Sequence, residues 1–307
     1  MASPFDVVTI GSAVLDLVFK SSQFTPHTLD GELMLCEVYG GKANVEEANL
    51  GSGGAGTNVA VGLARLGIKS SVIAEIGNDI PAQLIIDELM RENVDTSLLV
   101  SERDEQTGMS AVLVASDGSR SALTYRGAAH MLSPSDIPFA GLEGVSWIHL
   151  SSIGNTDLIR EIFLFCKQHN IRLSWNPSKA ELEEVSKNSI GDFEKACTVI
   201  FVNDLEFDAV KERQAFLEQL GETLVITKGK KGGEIRTAGT KQEYEGKVVE
   251  VVCELGAGDA FASGFIGACI LRLPVETAIE WGVQNSASVV GKLGAKKGLL
   301  SREKITA

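Results

Sequence analysis

The feature that most limits what this chain can become lies in its second half, where short apolar runs alternate with helix-length segments. Trp147 to Leu150 reads as a strand, Asp157 to His169 as a helix and Ile171 to Trp175 as a strand. A helical region from Glu181 to Lys187 and strands from Thr198 to Val202 and from Thr223 to Ile226 continue the series. This is the pattern of βαβ units, whose crossovers lay the strands side by side in a largely parallel sheet. Such sheets bind ligands at the carboxyl ends of their strands. Polar residues fall at those ends here: Ser151, Asn176 before Pro177, Asn203 with Glu206, and Thr227 with Gly229. The loop Thr227 to Gly233 carries three lysines, and by itself it reads at least as readily as a charged surface turn.

The first half adds a strand, Phe5 to Ile10, ending at Gly11, with Asp16 in the next apolar run. An acid there lies where such sheets bind ligands, though a surface aspartate in a hairpin fits equally. Short β-like pieces from Leu33 to Asn49 imply a small exposed sheet. Next, Gly51, Gly53 and Gly56 satisfy GxGxxG, with Glu75 about twenty residues on, as in a dinucleotide fingerprint. That fingerprint needs a buried strand before its first glycine, and the segment there contains Glu46 and Glu47. The competing reading has Gly53 and Gly54 bring the backbone close to a ligand while Asn58 opens a helix running from Val59 to Leu66. A strand from Lys69 to Ile76, a helix from Pro81 to Arg91 and a hairpin of Thr107 to Ala115 with Ser119 to Tyr125 follow. The two β-rich insertions, at about 14–49 and 101–127, are expected to pair into one sheet that serves as a lid over a site.

Near the C-terminus an apolar run, Val248 to Val252, reads as a strand. Gly256-Ala257-Gly258-Asp259 then opens a helix carried to Leu271 by Phe261, Phe265 and Ala268 on one face, and Val275 to Val290 forms a last helix. Two glycines at a helix mouth let unpaired N-H groups converge on an anion, where the helix dipole also favours negative charge. Asp259, in the first turn, reads equally as compensation for that dipole.

Across 307 residues, 44% hydrophobic content suffices for a continuous core. A net charge of -13 argues against nucleic-acid and anionic-membrane surfaces as partners. No run approaches the ~20 apolar residues of a membrane span, and the start lacks a signal-peptide pattern, so a cytoplasmic location is expected. Five widely spaced cysteines without CxxC give neither a disulfide framework nor a zinc site, and the four histidines show no ligand spacing.

Taken together, these motifs resemble the ribokinase-like, or PfkB-type, carbohydrate kinases over nearly the whole chain. The resemblance is carried by Gly53-Gly54-x-x-x-Asn58-x-Ala60, Asn203-x-x-Glu206, Thr227-x-Gly229-x-x-Gly232 and Gly256-Ala257-Gly258-Asp259, in that order. It implies an α/β fold of three layers, α/β/α, with a central, mostly parallel sheet and a small β-sheet lid, as one domain over residues 1–307. It implies transfer of the γ-phosphoryl group of ATP to a hydroxyl of a sugar, sugar phosphate or nucleoside. Asp259 would be the general base, and the N-H groups of Gly256, Ala257, Gly258 and Asp259 an anion hole. Asp16, Gly53, Gly54 and Asn58 would hold substrate. Asn176, Asn203, Thr227, Gly229, Gly232 and Asn285 would serve ATP, and Glu206 with Asn203 would order Mg²⁺ through water. Arg126 reads either as a contact for an anionic substrate group or as a surface ion-pair partner. Relatives commonly pair lids, which implies a homodimer.

The chain departs from the family pattern at Cys253-Glu254, where relatives carry Asp-Thr. The usual aspartate helps form a monovalent-cation site, so potassium activation is left without that ligand. Val14 and Ala55 stand where ribokinase itself has polar sugar contacts, so ribose is not implied as the substrate. Two other readings remain beside the kinase: a non-catalytic ligand-binding relative and a nicotinamide-dependent dehydrogenase.

Overall fold

The alternation of side chains along the strands sets the layering. The computed structural model describes residues 4–36, 39–187, 190–237 and 239–306, so Glu37 and Val38 of the first insertion lie outside the described residues. Strands β1 (Val7–Ile10) and β2 (Val14–Lys20), the hairpin β3 (Pro26–Leu29) and β4 (Glu32–Leu35), and β5 (Glu47–Gly53) lead into helix α1 (Ala55–Arg65). Then come β6 (Ser70–Ile73), β7 (Glu75–Ile76), α2 (Ile80–Arg91), β8 (Val100–Ser101), β9 (Gly108–Val114), β10 (Arg120–Tyr125) and a short α3 (Phe139–Leu142). The alternating half is β11 (Trp147–Ser151), α4 (Thr156–His169), β12 (Arg172–Asn176), α5 (Lys179–Val185), β13 (Cys197–Asn203), α6 (Asp204–Ala209), α7 (Gln214–Leu220) and β14 (Gly221–Thr227). The hairpin β15 (Gly233–Thr237) and β16 (Thr240–Tyr244), then α8 (Ala257–Ile270), α9 (Val275–Val290) and α10 (Arg302–Ile305), complete the chain.

Among the described residues eight strands form the main sheet in the order β16-β15-β14-β13-β12-β11-β1-β6. The six from β14 to β6 run parallel, and β15 and β16 add an antiparallel edge. Val7, Trp147, Val199, Phe201 and Val225 face α1, α8 and α9, where Leu63, Phe265 and Trp281 bury against them. Val8, Ile148, Ile200 and Leu224 face the other way, onto Ile162 and Phe163 of α4, Leu182 of α5 and Leu217 of α7. The α/β/α layering follows from this period of two. No helix among the described residues is long and apolar enough to cross a membrane.

The two insertions pair as expected, giving a separate sheet in the order β10-β9-β2-β5. Strand β2 lies parallel to β9 and antiparallel to β5, so residues brought from both insertions share one surface.

Three local expectations change, and one is upheld. Val248 to Val252 forms no strand; Val252 and Cys253 both donate their N-H to Val290 O, at 2.8 and 3.1 Å, while Cys253 buries against Val18, Val112, Val114 and Leu293. Helix α1 begins at Ala55 after the cap residue Gly54, so Asn58 lies a full turn inside it and does not open it. The run from Lys69 to Ile76 divides, because β7 leaves the main sheet to pair with β8. Finally, Gly51 and Gly53 lie within β5, an antiparallel strand of the smaller sheet, so the GxGxxG spacing does not form the turn out of a buried parallel strand.

Candidate active site

Strand order reverses beside β1, since β6 is added on one side and β11 onward on the other. The crevice at such a switch point is where open α/β sheets bind ligands. Here the N-terminus of α1 enters directly over it: a Cβ on Gly11 would stand 2.9 Å from both Gly56 N and Ser151 Cβ. Along the same edge Ser151 is the register partner of Asn176, and Asn203 that of Thr227.

Helix α8 points its N-terminus at this crevice. Gly256 takes a left-handed conformation (φ 77°), and a Cβ there would come within 2.6 Å of Ala295 Cβ, so glycine is required on both grounds. The first firm helical bond is Ala260 N-H to Gly256 O at 2.9 Å, and Ala257 N-H has only a 3.4 Å contact with Glu254 O. The amides of Gly258 and Asp259 therefore stay free at the positive end of the helix, and the space beside Gly258 is open.

Asp259 is partly exposed in the first turn of α8, and its carboxylate accepts a hydrogen bond from Asn58 Nδ2 at 2.8 Å. Burial raises its pKa, opposed by the Asn58 bond and by the charges of Lys296 and Arg120. The placement of Asn58 one turn into α1 is what lets it span to α8. Its Oδ1 is buried and has no partner, an acceptor awaiting a donor.

Asp16, on β2, is 7% exposed and packs against Gly53, where a Cβ would fall 1.8 Å from its Oδ2. Burial pushes its pKa up to about 6, against the pull of Lys296 and a hydrogen bond from Ser110, while Asp259 adds to the rise and Arg120 reduces it. Gly53 is thus a close-approach glycine, and Gly54, at φ 92°, turns the chain from β5 into α1.

On the other side of the crevice Asn203 caps α6: its Oδ1 accepts from Glu206 N-H and Glu206 Oε2 accepts from Asn203 N-H, both at 2.8 Å. Burial raises the pKa of Glu206. Asn176 ends β12 and Thr227 ends β14. Gly229 has a left-handed φ of 56° beside open space, and Gly232 packs against Tyr244 O. The described residues offer no group of three or more His, Cys, Asp or Glu side chains able to hold a metal directly. Glu206 and Asn203 still fit Mg²⁺, which keeps its waters and takes one or two protein carboxylates with substrate phosphates.

Two candidates are placed differently from the rest. Asn285 is fully buried, donating to Ala260 O and Ser263 Oγ at 2.8 and 3.0 Å and accepting from Leu300 N-H at 2.8 Å. It fastens α9 to α8 and has no group left for a nucleotide. Arg126 is exposed past the end of β10, whereas the charge that reaches both Asp16 and Asp259 from that strand is Arg120.

Three further residues were not legible in the sequence. Glu181 accepts from the N-H groups of Ile153, Gly154 and Ser178 at 2.7 to 2.8 Å, tying together the loops after β11 and β12. Lys296 and Arg120 were the others, and for Lys296 the one available signal was its place between Gly294 and Gly298.

Comparison with known proteins agrees with the fold. The sequence model described as pfkB family carbohydrate kinase matches residues 5–302. An ATP-dependent ribose-1-phosphate kinase of Halopiger xanaduensis is 27% identical, over 83% of this chain and 86% of that one. A ribokinase of Haemophilus influenzae is 28% identical, over 82% and 85%. Among solved structures, a ribokinase from Thermotoga maritima superimposes with a TM-score of 0.79 at 21% identity, covering 98% of each chain. An Arabidopsis thaliana ribokinase complexed with ribose and ATP gives 0.75 at 18% identity, covering 100% of this chain and 98% of that one. With the family match running over nearly its whole length and the fold in agreement, the chain belongs to the PfkB family of carbohydrate kinases, which are phosphotransferases.

Proposed function

We propose that the protein transfers the γ-phosphoryl group of ATP to a hydroxyl of a small sugar, sugar phosphate or nucleoside, with Asp259 as general base. The observation that carries this reading is the pairing of Asp259 and Asn58 beside the free amides of α8. Asp16, the Gly53-Gly54 backbone and Asn58 hold the substrate, whose hydroxyls satisfy the lone Oδ1 of Asn58. Asp259 takes the proton as the substrate oxygen bonds to the γ-phosphorus, and the bond to the β-phosphate oxygen breaks to release ADP. The N-H groups of Gly256, Ala257, Gly258 and Asp259 stabilise the charge on the transferred phosphoryl oxygens. Asn176, Asn203, Thr227, Gly229 and Gly232 flank the nucleotide. Glu206 with Asn203 would hold Mg²⁺ through its waters, and the ion would supply positive charge against the phosphates. Arg120, rather than Arg126, is the arginine placed to meet an anionic substrate group.

The smaller sheet acts as a lid, and its outer face joins two copies of the chain. The chain works as one domain. Cys253 lies in an apolar cluster, and its side chain brings no hard oxygen ligand to a monovalent-cation site.

An assay of ADP formation tests the reading on a panel that includes ribose, ribose 1-phosphate, deoxyribose, 2-dehydro-3-deoxygluconate and nucleosides. One or more should be turned over, and Asp259→Asn should lose about 10²- to 10⁴-fold in kcat with the affinity for ATP retained. Tight nucleotide binding without turnover of any acceptor, or an Asp259→Asn variant as active as wild type, would overturn it.

A further inference from the structure

We propose that Lys296 is a positioning residue of the site: its buried ammonium, seated between Ser52 and Thr57, is the fixed positive charge that lets Asp16 and Asp259 stand together as carboxylates. The inference rests on the kinase reading for its consequence, but its geometry is independent of it. Lys296 is 5% exposed, and its Nζ donates to Ser52 O at 2.5 Å and to Thr57 Oγ1 at 2.9 Å. These acceptors flank the Gly53-Gly54 turn, so the side chain pins the end of β5 to the start of α1. Both acceptors are neutral. An amide or hydroxyl would satisfy them without the cost of burying a charge, so the charge itself needs an account.

Four carboxylates attract the ammonium's charge: Glu88 of α2, Asp16 of β2, Asp259 of α8, and Glu92 just past α2. One of them already has a charged partner. Glu92 is held by a two-pronged bond from Arg65, at 2.7 and 2.8 Å, and Glu88 accepts from Ser52 N-H at 2.6 Å. Asp16 and Asp259 have only the neutral partners Ser110 and Asn58. Of the other cations nearby, Arg120 is exposed and therefore screened, Arg65 is taken by Glu92, and Arg91 and Lys297, which share with Asp16 and Lys296 a cleft of about 310 Å³, are exposed as well. That leaves Lys296 as the buried charge facing both aspartates.

Two carboxylates on one pocket raise each other, and burial raises both further. A group that must accept a proton at neutral pH cannot start protonated. With Lys296 present, Asp16 titrates at about 6 and Lys296 itself, lowered by burial, at about 8. Between those values Asp16 and Lys296 are both charged. Below the first, Asp16 takes a proton; above the second, the ammonium is lost and the carboxylates lose their counter-charge.

The test is a titration of ligand-free protein carrying ¹³C at the aspartate carboxyl carbons, with the Asp16 signal assigned by its loss in Asp16→Asn. It is run beside a pH profile of kcat/KM. The wild-type midpoint should lie near 6, Lys296→Met should move it up by about one pH unit or more, and Lys296→Arg should leave it in place. In the activity profile Lys296→Met should lose about tenfold near pH 6, on the acid limb. The wild-type fall above about pH 8 should vanish in Lys296→Arg, whose charge does not titrate there. If Lys296→Met does not fold, Lys296→Gln, which keeps hydrogen-bonding groups without the charge, is read the same way. An Asp16 midpoint that does not move, or a loss of activity equal at every pH, overturns the proposal. A midpoint that moves in a protein that phosphorylates nothing upholds it and overturns the kinase reading instead.

Discussion

Asp16 places a carboxylate where burial disfavours one, and that has a measurable effect on stability. Its pKa in the folded protein, about 6, lies above the ordinary 3.8. The folded state therefore binds the extra proton more tightly than the unfolded state. The resulting stabilisation is complete below about pH 4 and is lost as pH rises through 6. The loss is of order 1–3 kcal/mol. Asp16→Asn should therefore match the wild type in urea unfolding at pH 3.5 and exceed it at pH 7.5 while losing substrate affinity; an equal difference at both pH values would refute this. Asp16, Asn58 and Asp259 were legible in the sequence because Asp16 follows β1, Asn58 follows the Gly53-Gly54 turn and Asp259 lies in the first turn of α8, and the topology brings those positions together. Lys296 and Arg120 were not, since nothing local distinguishes a lysine that turns inward or an arginine whose strand folds across the site.

At the scale of elements, α8 matters most because it carries Asp259 and packs on both neighbouring helices. Its residues from Ala260 to Ala268 are buried, and α9 approaches so closely that a Cβ on Gly264 would lie 2.5 Å from Trp281 O. Backbone cannot give way there. Gly264→Ala should cost about 1–3 kcal/mol by overpacking and, by displacing α8, lower kcat more than it raises KM. Urea unfolding and steady-state kinetics read both, and a variant equal to wild type in each would show that the helices separate freely. The alternating elements were legible because their apolar period is long and regular. The segment before α8 was misread as a strand because its valines are apolar, although Val248 is exposed and Val252 packs against the cluster beneath the smaller sheet without strand pairing. That same segment carries Cys253, so replacing potassium by choline at constant ionic strength should change kcat/KM less than about twofold, where a bound-cation requirement would change it tenfold or more.

For the whole molecule, the smaller sheet poses a problem that one chain does not solve. Its inward face packs on the body through Val18, Val112 and Val114. On the outward face the register lines up Leu50, Leu17, Ala111 and Leu123, with Phe19 beside Leu113. Leu50 is 56% and Leu123 72% exposed. An apolar sheet face left in water marks an interaction surface, and a second copy of the same sheet offers a surface complementary in polarity. Each sheet would then be sandwiched between its own body and its twin, which couples lid position to assembly. Light scattering after size exclusion should find a dimer for the wild type and a monomer for Leu50→Lys with Leu123→Lys. The doubly substituted chain should keep its fold, since both positions are solvent-facing, but bind substrate more weakly as its lid loses support. A monomeric wild type across the accessible concentration range would leave the outer face without this role.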